Sequence, residues 1–428
     1  MKKQEEAILK KRMFSQRLFR VLLVLCLIIG SLLVLYLLGS EKVTAVPDHI
    51  TLTWAADPET TQTITWRTEI NNLAGQVQYV EDTGNKTFLN AKTITAAENS
   101  LTTSAESMNI HSVTLTELKP GTRYLYRVGD GSRWSKILSF STPETSISKF
   151  KFLIFGDSQS YKYDVWRATL QQAFFANPDA VFMTNVGDLV DVGLDYSQWN
   201  GWFTAGKGVI DTISVMPVVG NHETYTPEQG LSMPVFFTAQ FKLPANGPQG
   251  LKGQVYSFDY GNVHFTMLDS QEGEEKEFVP TMLEQQKEWL EKDLKETKKQ
   301  WRIVFIHRPP YHNRSMDGDE HLRAAFVPIF DKYHVDAVFA GHDHVYARSY
   351  PLQGGIRVDS FNKGTIYITT GRSGTKTYPK ALAKQWNEFF YNPQDEPNYL
   401  TVEVEGANLN VKAFKQSGIL IDSWVINK

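Results

Sequence analysis

Cysteine is almost absent from this 428-residue sequence: Cys26 is the only thiol, so no intrachain disulfide can form. Long apolar runs are equally scarce. Only Val21–Leu38 runs 18 residues without a charge, and nothing else is long and apolar enough to span a bilayer. Positive charge is not in excess either, since 44 Lys+Arg face 47 Asp+Glu for a net −3, which excludes a basic nucleic-acid binder. With 42% hydrophobic and 21% charged residues, disorder and collagen are excluded as well.

The charge is unevenly spread. Residues 1–40 hold seven basic residues (Lys2, Lys3, Lys10, Lys11, Arg12, Arg17, Arg20) against Glu5 and Glu6, which leaves the remainder at −8. At helical rise Val21–Leu38 reaches roughly 27 Å, close to the thickness of a hydrocarbon core. The positive-inside rule therefore predicts a cytoplasmic leader over 1–20, a single transmembrane anchor over 21–38, a linker over 39–48, and a cell-surface exterior. The alternative is a secreted protein whose signal is cleaved near Val43-Thr44-Ala45, although the run is longer than a usual signal core. Leu25 before Cys26 is too large for a lipoprotein cleavage site.

From residue 49 to 143 short alternating strands recur: Ile50, Leu52, Trp54; Ile64, Trp66; Val77, Tyr79; Val113, Leu115; Tyr124, Tyr126, Val128. Turn pairs such as Pro120-Gly121 and Asp130-Gly131 punctuate them, which predicts an all-β sandwich. Leu118-Lys119-Pro120-Gly121-Thr122-Arg123-Tyr124 resembles the tyrosine corner of fibronectin type III domains. Glu144–Lys149 reads as a linker.

Over 150–428 the period changes. Apolar runs (Phe152–Phe155, Ala180–Val186, Val215–Val219, Val263–Leu268, Ile303–Ile306, Ala337–Ala340, Ile366–Ile368) alternate with helical patterns, which predicts an α/β domain. One helix is opened by Thr281 with Glu284 as a capping box, and carries Met282, Leu283, Trp289, Leu290 and Leu294 on one stripe. Five motifs follow strand ends: Gly156-Asp157-Ser158-Gln159, Gly187-Asp188-Leu189-Val190-Asp191, Gly220-Asn221-His222-Glu223, Val304-Phe305-Ile306-His307 and Gly341-His342-Asp343-His344. Open α/β sheets bind ligands at such ends. Each motif alone is an ordinary turn or a core histidine. Together they supply the oxygen and nitrogen donors that a pair of borderline divalent ions requires.

This ordered set resembles the calcineurin-like metallophosphoesterases, and with the preceding sandwich it is similar to the purple acid phosphatases. The segment Val335-Asp336-Ala337-Val338-Phe339-Ala340-Gly341-His342-Asp343-His344-Val345-Tyr346-Ala347-Arg348-Ser349 is the best local match. The resemblance implies a four-layer α/β/β/α sandwich in which Asp157 and His344 bind one metal, Asn221, His307 and His342 bind the other, and Asp188 bridges both. His222 then faces the substrate.

Two positions depart from that family: Gln159 replaces a glycine, and Asp191 replaces a metal-binding tyrosine. Without the tyrosinate a ferric ion loses its anion, so two divalent ions (Fe, Zn or Mn) and no tyrosinate-to-iron colour are expected, with Gln159 as a weak amide ligand or an outer partner. Asp191 either pairs with His222, holding it as a general acid, or caps the next helix. The expected reaction is phosphomonoester hydrolysis by a hydroxide shared between the metals, with His222 protonating the leaving oxygen.

Weaker candidates for substrate contact are His312, Arg348 and Arg372; the two arginines are equally suited to bracing the sheet. Loops 226–253 and 373–399 offer Phe236, Phe237, Phe241, Tyr378, Trp386 and Phe390 either to an apolar leaving group or to a private loop core. The same motifs suit a phosphodiesterase acting on nucleotides or cell-wall polymers, and nucleotides are the only nucleic-acid contact expected. A third reading is a non-catalytic surface binder that uses the fibronectin-like domain for a surface ligand or self-association.

Overall fold

The computed structural model describes residues 43–428 apart from 72–73, 86, 104–106 and 315–319. The expected anchor at 21–38 and Cys26 lie outside the described residues. Among the described residues no helix is long and apolar enough to cross a membrane.

Alternation in the first part builds two four-stranded antiparallel sheets. One orders Asp48–Thr53, Gln62–Glu69, Ser107–Leu115 and Ala97–Thr102; the other orders Lys92–Thr95, Gln76–Glu81, Arg123–Gly129 and Leu138–Ser141. Leu52, Ile64, Trp66, Val77, Tyr126 and Val128 meet in one buried cluster between them. The Tyr124 hydroxyl accepts the backbone N–H of Lys119 at 2.8 Å and so closes the corner.

Polar and aromatic contacts join the sandwich to the α/β domain. Leu52 N–H donates to the Ile210 carbonyl at 2.9 Å, and Tyr126 donates to the Asp211 carbonyl at 2.7 Å. Trp54 packs against Phe182, Phe258 and Tyr260.

The α/β domain holds two larger sheets. The first orders Ser214–Val215, Ala180–Asn185, Lys149–Phe155, Asn398–Glu405, Asn408–Lys415 and Leu420–Asn427. The second orders Tyr256–Tyr260, Val263–Leu268, Trp301–Ile306, Ala337–Ala340, Ile366–Thr370, Tyr346–Ser349 and Asn387–Tyr391. Phe152, Phe182, Phe265 and Phe305 stack across the space between the sheets. The helices Asp164–Ala176 and Tyr196–Gly206 lie with the first sheet, and Met282–Glu296 and Glu320–Tyr333 cover the second. The layers are thus α/β/β/α.

Two local expectations change. The run Val215–Val219 is regular strand only at Ser214–Val215, although the Met216 and Val218 N–H groups still donate to the Met183 and Asn185 carbonyls at 2.9 Å on either side of Pro217. The helix Met282–Glu296 buries Met282, Leu290 and Leu294 as its stripe predicts, but Thr281 does not cap it. Its hydroxyl instead accepts from the Gln285 side chain at 2.7 Å.

The second sheet also holds a pH-dependent clamp. Both ring nitrogens of buried His264 donate, to Asp259 at 2.7 Å and Asp293 at 2.8 Å. Burial alone depresses its pKa, but the bonds and charges of Asp259 and Asp293 outweigh it and raise the ring to about 9. A folded pKa above the unfolded value of roughly 6.5 adds stability that is complete below pH 6.5 and lost as pH rises through about 9. His264→Gln should remove on the order of 2 to 3 kcal/mol at pH 6 and much less at pH 10, read from urea midpoints. Equal losses at both pH values would contradict a charged clamp.

Candidate metal centre

The strands Lys149–Phe155, Ala180–Asn185 and Ser214–Val215 run parallel, as do Val263–Leu268, Trp301–Ile306, Ala337–Ala340 and Ile366–Thr370. Their carboxyl ends therefore open toward one side, and the five motifs leave from there.

Two donor groups result. Asp188, His307 and His342 converge in one; Asp157, Asp188 and His344 converge in the other, and all are buried. Asp188 is common to both. Three of the inward-facing side chains are fixed from behind. His307 Nδ1 donates to the Val186 carbonyl at 2.8 Å, and His344 Nδ1 donates to the Lys376 carbonyl at 2.8 Å. The Asn221 amide donates to the Tyr225 hydroxyl at 2.8 Å, which turns its oxygen inward.

The front of the site is consequently crowded with lone pairs. His307 Nε2 lies 3.1 Å from Asn221 Oδ1, 3.2 Å from His342 Nδ1 and 3.3 Å from Asp188 Oδ1. His344 Nε2 lies 3.1 Å from Asp157 Oδ1. Acceptors this close repel unless a cation stands among them, so the donor set fits divalent metal.

Backbone strain is concentrated at the same place. Asp157, Asp188, His342 and His344 all adopt positive φ, between 45° and 67°. Glycine provides the remaining room. A Cβ on Gly187, itself at φ 95°, would lie 2.5 Å from His307 Nδ1, and one on Gly220 would collide with Asp188.

Glu223, to which the motif pattern assigns no role, ties two ligand loops together. Its carboxylate accepts the N–H groups of Gly220 (2.7 Å), Asp188 (2.9 Å), Leu189 (2.8 Å) and Val190 (3.2 Å). Burial, followed by the nearby Asp188 charge, pushes its carboxyl up to about 8. Its place at the end of Gly-Asn-His-Glu is the one signal in the sequence that marks it.

His222 stands at the rim, but Asp191 holds it differently from the expectation. His222 Nδ1 donates to the Asp191 backbone carbonyl at 2.6 Å, whereas the Asp191 carboxylate is 3.3 Å away. That carboxylate accepts from the Gln159 amide at 2.9 Å and from Lys376 at 3.4 Å. The helix-capping alternative belongs to Asp195, whose side chain accepts from Ser197 N–H. Gln159 Oε1 is buried with no hydrogen-bond partner among the described residues, leaving it open as an acceptor.

The arginines brace the frame instead of facing the site. Arg348 pairs with Glu388 and, at 2.9 Å, with Asp422. Arg372 donates to the carbonyls of Pro393 (2.9 Å) and Gly374 (2.6 Å). His312 Nδ1 donates to the Arg314 carbonyl at 2.7 Å.

Of the loop aromatics, Phe236, Phe237 and Phe241 pack into a loop core with Tyr196, Trp199 and Phe203. Trp386 packs on Tyr311, and Phe390 lies against Val345, Ala347 and Ala381. Tyr378 alone among the six reaches a ligand, with its ring edge-on to His344 at 4.5 Å. Arg314 and Lys376 also stand at the rim, although in sequence each reads as an ordinary loop cation.

Comparison with known proteins agrees with this geometry. Residues 47–142 match the purple acid phosphatase N-terminal domain, and residues 150–346 match the calcineurin-like phosphoesterase family. A soybean purple acid phosphatase is 30% identical over 62% of the chain, which spans 60% of that relative's length. Mouse acid phosphatase type 7 is 24% identical, with 91% of this chain and 92% of that protein aligned. The solved purple acid phosphatase from yellow lupin seeds shares the fold with a TM-score of 0.72 at 21% identity, covering 89% of this chain and 74% of its own.

Proposed function

From the premise that the chain belongs to the purple acid phosphatase-like metallophosphoesterases, we propose that it is a binuclear-metal phosphomonoesterase. The observation that carries the reading is the inward crowding of lone pairs around Asp188, with His222 at the open side. Two divalent ions, when bound, supply an activated water and neutralise phosphoryl charge.

The chain does the rest. Asp157, Asp188, Asn221, His307, His342 and His344 hold the ions, and the bonds behind Asn221, His307 and His344 prevent their rotation. Glu223 keeps the Asp188 and Asn221 loops in register. His222, oriented through Nδ1, turns Nε2 to the open side, where it accepts from the Lys376 ammonium at 2.9 Å and passes that proton to the leaving oxygen as the P–O bond breaks.

The proposal extends to an anchor at 21–38 with the enzymatic part outside the cell, which the basic leader, the apolar run and the absence of disulfides support. It also excludes tyrosinate colour, because Asp191 stands where the family carries its ligand tyrosine.

Metal analysis with a visible spectrum of the purified chain tests the reading. Two divalent ions per chain, no visible charge-transfer band, and faster hydrolysis of phosphate monoesters than of diesters are expected. A ferric band would overturn the metal assignment; preference for diesters would overturn the substrate assignment.

A further inference from the structure

Away from the metal centre, one buried titratable side chain is left without a bonding partner. His49, on the first strand of the sandwich (Asp48–Thr53), is 7% exposed, and among the described residues neither of its ring nitrogens meets a hydrogen-bond partner. Stacking holds the ring. It lies against Phe203 at 4.7 Å and 19°, and against Tyr196 at 6.2 Å and 24°, both on the helix Tyr196–Gly206 of the α/β domain. The imidazole is therefore wedged into the joint between the sandwich and the α/β domain.

The charged neighbours offer nothing to an imidazolium. From the strand Gln62–Glu69 comes Arg67, itself fully buried, a like charge whose guanidinium carbon stands 5.5 Å from the centroid of the Tyr196 ring. The adjacent carboxylate, Asp48, gives both its oxygens to Arg67, at 2.8 Å and 2.6 Å. The helix faces His49 with neutral groups: the Phe203 ring, and Tyr196, whose hydroxyl burial keeps protonated. Asn200 on the same helix turns its amide oxygen to Arg67. Burial first and the Arg67 charge second hold the His49 ring well below its usual pKa. A neutral ring leaves one N–H unpaired, whereas a proton adds a second and places one buried charge beside another.

The joint is narrow. Beyond Trp54 a cleft of about 990 Å³ already separates the sandwich from the α/β domain, lined by Gln62, Ser139, Thr142, Ser146 and Ser214. Between the wedge and the cleft, Leu52 N–H crosses to the Ile210 carbonyl at 2.9 Å and the Thr53 hydroxyl to the Lys242 carbonyl at 2.6 Å. We infer that His49 makes this joint acid-labile: protonation of its ring loosens the sandwich from the α/β domain while the metal-bearing sheets stay folded. Because the ring binds a proton more readily once the joint is open, the joint keeps its full strength above the free histidine value of roughly pH 6.5 and weakens as pH falls below it. Its closing equilibrium drops by up to about tenfold per pH unit until the ring titrates in place.

The test is hydrogen exchange on the metal-loaded full chain at pH 7 and pH 4.5, with metal content measured at both and each rate divided by the intrinsic rate at that pH. Leu52 N–H reports the joint because it bonds across it, and the amides of Trp301–Ile306 report the α/β core. In the parent, protection at Leu52 should fall about 10- to 100-fold between pH 7 and pH 4.5, while that of Trp301–Ile306 changes little. His49→Phe keeps a stacking ring that takes no proton. His49→Asn suits the φ of 49° at this position and supplies a second uncharged side chain in case phenylalanine disturbs the packing. Both variants should hold Leu52 at pH 4.5 as firmly as they do at pH 7. An equal fall in parent and variants would overturn the role of His49. Unchanged Leu52 protection in the parent, or loss of Leu52 and the core strand in step, would overturn the loosened joint.

Discussion

Asp188→Asn should lower kcat/KM by at least about 10³-fold and drop bound metal below two ions per chain. Asp188 is the one carboxylate common to both donor groups, so the change removes one of two anionic charges and a donor facing both ions. The substitution is a clean one. Asp188 sits at φ 55°, a left-handed conformation that asparagine adopts readily, and the new side chain keeps an oxygen for the His222 backbone N–H that now donates at 3.0 Å. Lost metal and lost turnover in a variant that melts no lower than the metal-free parent is the expected combination. Activity equal to the parent would mean that the centre is not the seat of hydrolysis, and would bring forward the surface-binding reading.

His222→Asn should cost on the order of 10² to 10⁴ in kcat for an alkyl phosphate, whose leaving oxygen needs a proton. For p-nitrophenyl phosphate, whose leaving oxygen is already a stable anion, the loss should stay within about tenfold. Rates on the two substrates at one metal loading measure the difference; equal losses would show that His222 binds the phosphoryl group instead of donating a proton. The geometry adds a companion expectation. Because the Asp191 carbonyl receives His222 Nδ1 at 2.6 Å, Asp191→Asn should leave the orientation of the ring intact and reduce alkyl phosphate turnover far less than His222→Asn does.

Part of this was legible in the chain itself. Apolar alternation around Trp54, Trp66 and Tyr126 marked the sandwich, and apolar runs ending in Gly-Asp, Gly-Asn-His and Gly-His-Asp-His marked strand ends bearing donors. Periodicity reports which face of a strand is buried, and a ligand motif reports which donor types leave it. The C-terminal meander of Asn398–Glu405, Asn408–Lys415 and Leu420–Asn427 was not legible, because its strands complete a sheet begun far earlier by Lys149–Phe155. The contrast between Thr281 and Asp195 has a similar origin. Both are plausible caps by residue type, and only the local backbone and neighbouring side chains decide which oxygen meets a helix N–H.

The sequence by itself determined the donor set, its order along the chain and the absence of an intrachain disulfide. Only the tertiary structure decided that Asp188 is shared, that a backbone carbonyl and not a carboxylate takes the His222 proton, that Arg348 and Arg372 brace the sheet, and that Lys376 and Arg314 stand at the rim. The reason is physical: residue type fixes what a side chain is able to bond, but contacts between positions 154 residues apart, as for His222 and Lys376, are set by how two sheets pack and where their loops are pinned.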